Sequence, residues 1–205
     1  MQAVRDHLVA DELFEDETFE KLDLNRVDLS GKEFHRCTFR GCKLQESVWA
    51  ASRLEDCAFV GCDLTRLRPG RLLLRGVEFK DSKLMGIDLT GLGAMPSVGF
   101  TDCSMRYVAF VSLKLRATAF VRCAIVEANF VTTDLAKSTF ADCDLSSTRF
   151  EGCDLQGVDF STCRGLGFEP AKNRIKATRV PLETAVQIAS SLGLLVSGFA
   201  ARDDP

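Results

Sequence analysis

"ADCDLSSTRFEGCDLQGVDFSTC", residues 141–163, sets three cysteines ten residues apart, at Cys143, Cys153 and Cys163. Cut into fives, the stretch becomes CDLSS, TRFEG, CDLQG and VDFST. The third residue of each unit is Leu or Phe; we call it position i. Stepping by five in both directions, i falls on Phe14, Phe19, Leu24 and onward to Leu89. The phase then slips by one residue and resumes at Phe100, running to Phe160. Of these 29 positions, 25 are Leu or Phe, and Trp49, Pro69, Met105 and Ile125 are the exceptions. Such regularity is an internal repeat, and a repeat of this kind decides the fold before any local pattern does.

All nine cysteines fall at i−2, a position otherwise held mostly by small or β-branched residues. Charge concentrates at i−1, i+1 and i+2. Two residues in five therefore point inward and three face water. A period of five fits neither the 3.6 of an α-helix nor the 2 of a strand. It fits a solenoid whose sides are five residues long. Gly31, Gly41, Gly61, Gly76, Gly86, Gly152 and Gly157 fall at i+2, the natural corner for bent backbone. After Phe100, Phe alternates with Leu, Met or Ile, which requires an even number of sides. Four sides place Phe on two opposite walls.

The units CDLSS, CDLQG, VDFST, VDLSG and IDLTG resemble those of the pentapeptide-repeat proteins, over roughly residues 12–168. The resemblance implies an all-β fold, a right-handed quadrilateral β-helix of four pentapeptides per coil, with a short C-terminal α-helical cap. Residues 1–11 are expected to cap one end, and residues 169–205 to form the helix and tail. Residues 20 apart then stack, so Cys103, Cys123, Cys143 and Cys163 share a column. With rungs about 4.8 Å apart, about eight coils give a rod of roughly 35–40 Å.

On this reading the cysteines are small buried hydrophobes. Zinc asks for about four converging ligands, commonly in C-x2-C pairs, whereas the closest cysteines here are five apart along flat walls. A nucleophile needs a neighbouring base, and His7 and His35, the two histidines, are not placed to serve. Hydrolase, kinase and dinucleotide motifs are absent. No catalytic residue, metal or cofactor is expected. The net charge of −3 lacks the basic footprint of a nucleic-acid binder. No run of about 18 apolar residues would span a membrane. The N-terminus lacks the apolar core of a secretory signal, so a reducing cytoplasm with free thiols is the expected compartment.

Two interruptions break the period. Residues 65–76, TRLRPGRLLLRG, place Pro69 where an inward Leu or Phe belongs, which predicts a local bulge. Residues 90–99, TGLGAMPSVG, contain the phase slip and predict a small loop leaving the wall. Its members Leu92, Gly93, Ala94, Met95, Pro96 and Ser97 are the candidate partner-binding residues, since loops on rigid scaffolds often carry function. Val111, Val121, Val126 and Val131 at i+1 form an apolar stripe, read chiefly as β-propensity.

Beyond Phe168 the period ends. Pro181 suits a helix start, Gly193 a helix stop, and Leu182, Ala185, Val186, Ile188, Ala189 and Leu192 form a helical stripe. With Leu194 and Leu195 these residues are expected to cap the solenoid and to join two copies end to end. The segment IKATRVPLETAVQIASSLGLLVSG resembles the C-terminal dimerisation segment of pentapeptide-repeat proteins that confer fluoroquinolone resistance or albicidin immunity. That resemblance implies a homodimeric rod imitating B-form DNA and binding DNA gyrase, with topoisomerase IV a second partner in some members. No direct contact with nucleic acid is implied. The outward carboxylates assigned to the mimicry are Asp63, Asp88, Asp102, Asp134, Asp144, Asp154 and Asp159. The interspersed Arg and Lys are a departure from a strongly acidic mimic.

Overall fold

The computed structural model describes residues 2–93 and 95–198, with side chains from residue 6 onward. The chain winds as a parallel β-solenoid with four walls, which we call A to D in chain order. Wall A begins at Phe14, wall B at Phe19, wall C at Leu24 and wall D at Leu29. Phe19, Phe39, Phe59, Phe79, Phe100, Phe120 and Phe140 stack in register along wall B. Phe110, Phe130 and Phe150 stack along wall D. The two opposite Phe walls expected from the alternation are therefore present in the C-terminal half.

The physical logic of the repeat is visible in its bonds. The residue at i sends its N–H and C=O toward the following coil, while i−1 and i+1 bond the preceding one. Leu135 N, for example, donates to Asp154 O at 2.9 Å, and Asp134 N to Leu113 O at 2.8 Å. The corner at i+2 lies in the left-handed region whether or not it is glycine: Gly152 has φ 67° and Glu46 φ 57°. Non-glycine corners pay about 1–2 kcal/mol each for that backbone, and ladder bonds on both sides of the corner hold it.

The core is a single file of i and i−2 side chains. All nine cysteines are buried and unpaired. Eight of the thiols donate to carbonyls of the preceding coil, as Cys143 Sγ does to Phe120 O at 3.4 Å, and Cys123 Sγ donates to Val121 O in its own coil. Burial pushes the Cys153 thiol above its ordinary value, so it stays protonated and inert. Trp49 is wholly enclosed and donates its indole N–H to Ser47 Oγ at 2.9 Å.

Pro69 behaves as its chemistry requires. Neighbouring i residues on wall D donate onward, Trp49 N to Arg68 O and Leu89 N to Ala109 O, both at 2.9 Å. Proline has no such hydrogen, and wall D lacks the Arg68–Asp88 bridge that would continue the Asp28–Val48–Arg68 ladder. A cavity of about 30 Å³, ringed by Trp49, Leu64, Leu67 and Leu89, sits beside it. Pro69→Leu should restore the donor and fill the void, raising stability by about 0.5–2 kcal/mol. Thermal unfolding followed by circular dichroism checks this. A lower Tm would mean that the Gly70 corner, at φ 51°, depends on the proline.

Both ends are closed by helices. Helix α1, Gln2–Ala10, covers the first coil and buries Leu8 completely. Lys32 is the residue that anchors it. It occupies an inward i−2 position, is 6% exposed, and donates Nζ to Val9 O at 2.9 Å and Asp11 O at 2.5 Å. At the other end the ladder runs past Phe168: Arg164 bridges Asp144, Arg174 bridges Asp154 and Arg179 bridges Asp159. Asn173 and Thr178 hold the i−2 places there. Asn173 Nδ2 donates to Phe150 O and Thr178 Oγ1 to Leu155 O, as the core Ser and Thr side chains do elsewhere. Pro181 caps helix α2, Leu182–Ser191.

Candidate interaction surfaces

The phase slip resolves into a bulge on wall A. Leu72 O and Leu74 O, two residues apart, accept from Gly93 N and Ser97 N, four residues apart, each at 3.0 Å. Two residues are thus added on the wall. Ser97 is followed directly by Val98, which pairs with Val77, so the corner is one residue shorter and the net gain is one. The segment therefore stays pinned to the wall at both ends. Leu92 is half-buried against the core, Met95 stands 73% exposed, and Ala94 lies outside the described residues. Arg53, Leu73, Arg75, Gly93, Met95 and Pro96 line a groove on this wall, so an exposed apolar knob and an open groove adjoin here.

The seven outward carboxylates lie at i−1 or corner positions, and five of them form ion pairs with an arginine one coil away. Asp102 is held by Arg122 at 2.7 Å, and Asp134 by Arg116 at 3.0 Å. Asp144, Asp154 and Asp159 meet Arg164, Arg174 and Arg179 at 2.9, 3.2 and 3.3 Å. Asp63 accepts from Gln45 and Thr65, and Asp88 from the Thr90 hydroxyl and backbone N–H. The Arg122 guanidinium keeps Asp102 below the usual carboxylate range, and the Thr90 hydroxyl does the same for Asp88. For Asp144, burial pushes upward but is outweighed by hydrogen bonds from Ser146 and Arg164. Most of the carboxylates are answered by a cation, so they form no continuous acidic wall. Alternation along wall C makes the point: Asp23, Lys43, Asp63 and Lys83 stack in one column. A spacing of 20 between opposite charges is the sequence signal for these pairs, except Arg116–Asp134, which stand 18 apart.

The tail splits into two faces. Thr184, 1% exposed, ties α2 to the solenoid by donating Oγ1 to Leu166 O at 3.1 Å. Val186, Ile188 and Ala189 are half-buried and Ala185 is exposed. Leu182, Leu192 and Leu194 are 66%, 68% and 59% exposed, and Leu195 is 96% exposed. Gly193 at φ 79° and the Leu194 N to Ala189 O bond close the helix, a Schellman-type stop. A run of leucines this bare is an apolar surface awaiting cover. Among the described residues no three His, Cys, Asp or Glu side chains converge as a metal ion would require. No described helix is long and apolar enough to cross a membrane.

The chain matches the family model "Pentapeptide repeat region" over residues 93–169 and "Pentapeptide repeats (8 copies)" over residues 33–66. No curated protein matches in sequence. Among solved structures it is similar to full-length QnrB1, a plasmid-mediated fluoroquinolone resistance protein, at 21% identity and a TM-score of 0.49, covering 89% of this chain and 91% of that one. It is also similar to HetL, a pentapeptide repeat protein involved in heterocyst differentiation regulation from the cyanobacterium Nostoc, at 13% identity and a TM-score of 0.39, covering 89% and 94%. A third, the pentapeptide repeat protein Rfr23 from the cyanobacterium Cyanothece, is 8% identical with a TM-score of 0.21, covering 83% and 85%.

Proposed function

The chain belongs to the pentapeptide-repeat proteins, and from that premise we propose that it acts by binding: as a homodimeric rod it engages DNA gyrase, and topoisomerase IV through the same surface, and protects the enzyme from topoisomerase poisons. Antibiotic resistance or self-immunity, against a fluoroquinolone or albicidin, is the outcome. The observation that carries the reading is Met95, exposed beside the buried Pro96 on a pinned bulge over a groove in an otherwise regular wall. A rigid scaffold offering one apolar knob suits insertion into a partner's pocket, where a few buried anchors supply most of the binding energy. The resemblance of the tail to the dimerisation segment of the gyrase-protecting group supplies the partner's identity. Because the outward carboxylates are largely paired, imitation of DNA here rests on the rod's cross-section more than on surplus negative charge.

A supercoiling assay with gyrase, a fluoroquinolone and increasing amounts of the protein is the test. Supercoiling should recover, and Met95→Asp should weaken that recovery roughly tenfold or more, the scale of a lost hot-spot residue, with an unchanged circular dichroism spectrum. No recovery with any poison, albicidin included, would overturn the gyrase reading. The charge pairing favours one second reading, a β-helical scaffold for a protein unconnected with topoisomerases. Under that reading, capture from lysate enriches a partner other than gyrase.

A further inference from the structure

Wall D ends one rung before the other three. Walls A, B and C each carry a further rung on Asp154, Asp159 and Asp144, supplied by Arg174, Arg179 and Arg164. The strand Arg149–Glu151 has no such bridge: residues 165–169 pass over this end with Leu166 buried and Phe168 edge-on to Phe150 at 6.5 Å, and they lead into the 3-10 turn Pro170–Lys172 without forming a rung. The groups that face the missing rung are those of Thr148 and Phe150. Phe150 O is taken by Asn173 Nδ2 at 2.9 Å, and Gly152 N by Lys172 O at 3.0 Å. Phe150 N and Thr148 O have no partner among the described residues. These groups open into a cavity of about 520 Å³ walled by Phe150, Phe168, Thr184, Gln187, Ile188 and Ser191. Its lining mixes Phe150, Phe168 and Ile188 with polar and charged side chains such as Gln187, Glu151 and Lys172, and an unpaired strand edge in such a recess is a site for an added strand.

The tail has the matching chemistry. Leu194, Leu195 and Val196 form a three-residue apolar run, the length of the rungs on this wall. It starts three residues beyond Ser191, itself a wall of the cavity, and Leu195 lies almost fully in water. Within one chain the run stays outside the notch. Two-fold joining of two copies through α2 would bring the same elements of both chains to one place, each notch facing the other copy's tail.

We propose that Leu194–Val196 of a second copy fills this notch as the missing rung of wall D. One of its residues supplies a carbonyl to Phe150 N and an N–H to Thr148 O. This rests on the end-to-end pairing proposed above and gives that pairing its backbone contacts.

The test uses two readouts on the same samples. Arg149→Cys and Leu195→Cys chains, prepared separately, are mixed and mildly oxidised; the native cysteines are buried and should stay out of the reaction. A 149–195 cross-link between the two chains is expected. In parallel, amide exchange at Phe150 is followed by nuclear magnetic resonance in the full chain and in a chain ending at Gly193. Truncation should speed exchange at Phe150 at least tenfold while the Phe130 amide stays protected. A dimer by sedimentation with no cross-link and no change at Phe150 would overturn the notch assignment and leave the pairing standing. Tail-dependent protection in a monomer would mean that the chain's own tail fills the notch, overturning the second copy as occupant. A monomer without protection would overturn the pairing and the notch together.

Discussion

Phe130→Ala should lower the free energy of unfolding by about 3–5 kcal/mol, the cost of emptying an aromatic site in a core that cannot collapse around it. Phe130 is fully buried. Its ring stacks on Phe110 at 4.4 Å and on Phe150 at 5.0 Å, and meets Phe120 and Phe140 edge-on at 6.3 and 6.2 Å. Relaxation is blocked because the backbone on either side is fixed by ladder bonds to the coils above and below. For a chain of this size, Tm should fall by about 2–4 °C per kcal/mol. Urea and thermal denaturation of the purified variant give the number. A solenoid couples each coil chiefly to its neighbours, so the loss should also broaden the transition as the two halves begin to melt apart. A cost near zero would contradict the inward assignment of i.

Leu192→Asp carries the largest expected effect on assembly. Leu192 closes α2 and is exposed, as is Leu182 at the start of the helix, and Leu194 and Leu195 follow it. If two copies meet there, the substitution sets a carboxylate in a desolvated apolar joint without a partner, at a cost of several kcal/mol. Sedimentation velocity should then show monomers at micromolar concentration where the unaltered chain is paired. The helix itself should survive, since Thr184 and Leu166 on its other side are untouched. A dimer that persists would place the joint elsewhere and leave the tail as a cap alone.

Much of the architecture was legible because the solenoid repeats one decision. Once Phe or Leu at i and a small residue at i−2 were recognised, every cysteine had an address. What escaped was whatever a single position decides. Lys32 breaks the i−2 rule, and that exception was the sign of a special task; its long chain trades a small core residue for an anchor on α1. The bulge near Met95 looked like a departing loop because counting gives only the net slip. Two residues gained on the wall and one lost at the corner have the same arithmetic as a single insertion. The last rungs were hidden because Gly165 and Pro170 stand where Leu or Phe belongs at i, although Arg174 and Arg179 keep the spacing of 20 to Asp154 and Asp159. The pairing of Asp154 and Asp159 depended on those hidden rungs.

The inter-coil ion pairs have a direction. Of the thirteen Lys or Arg pairs between coils among the described residues, ten set the acid in the earlier coil and the cation in the later one. A stack built that way carries an arrow, and its tips keep the remainder. Residues 11–28 hold eight acids and two cations, whereas residues 164–179 hold five cations and one acid. Two such rods meeting at their C-terminal tips press like charge against like. Their leucines must hold the joint against that repulsion, so added salt, by screening it, should tighten the pair where a charge-held complex would loosen.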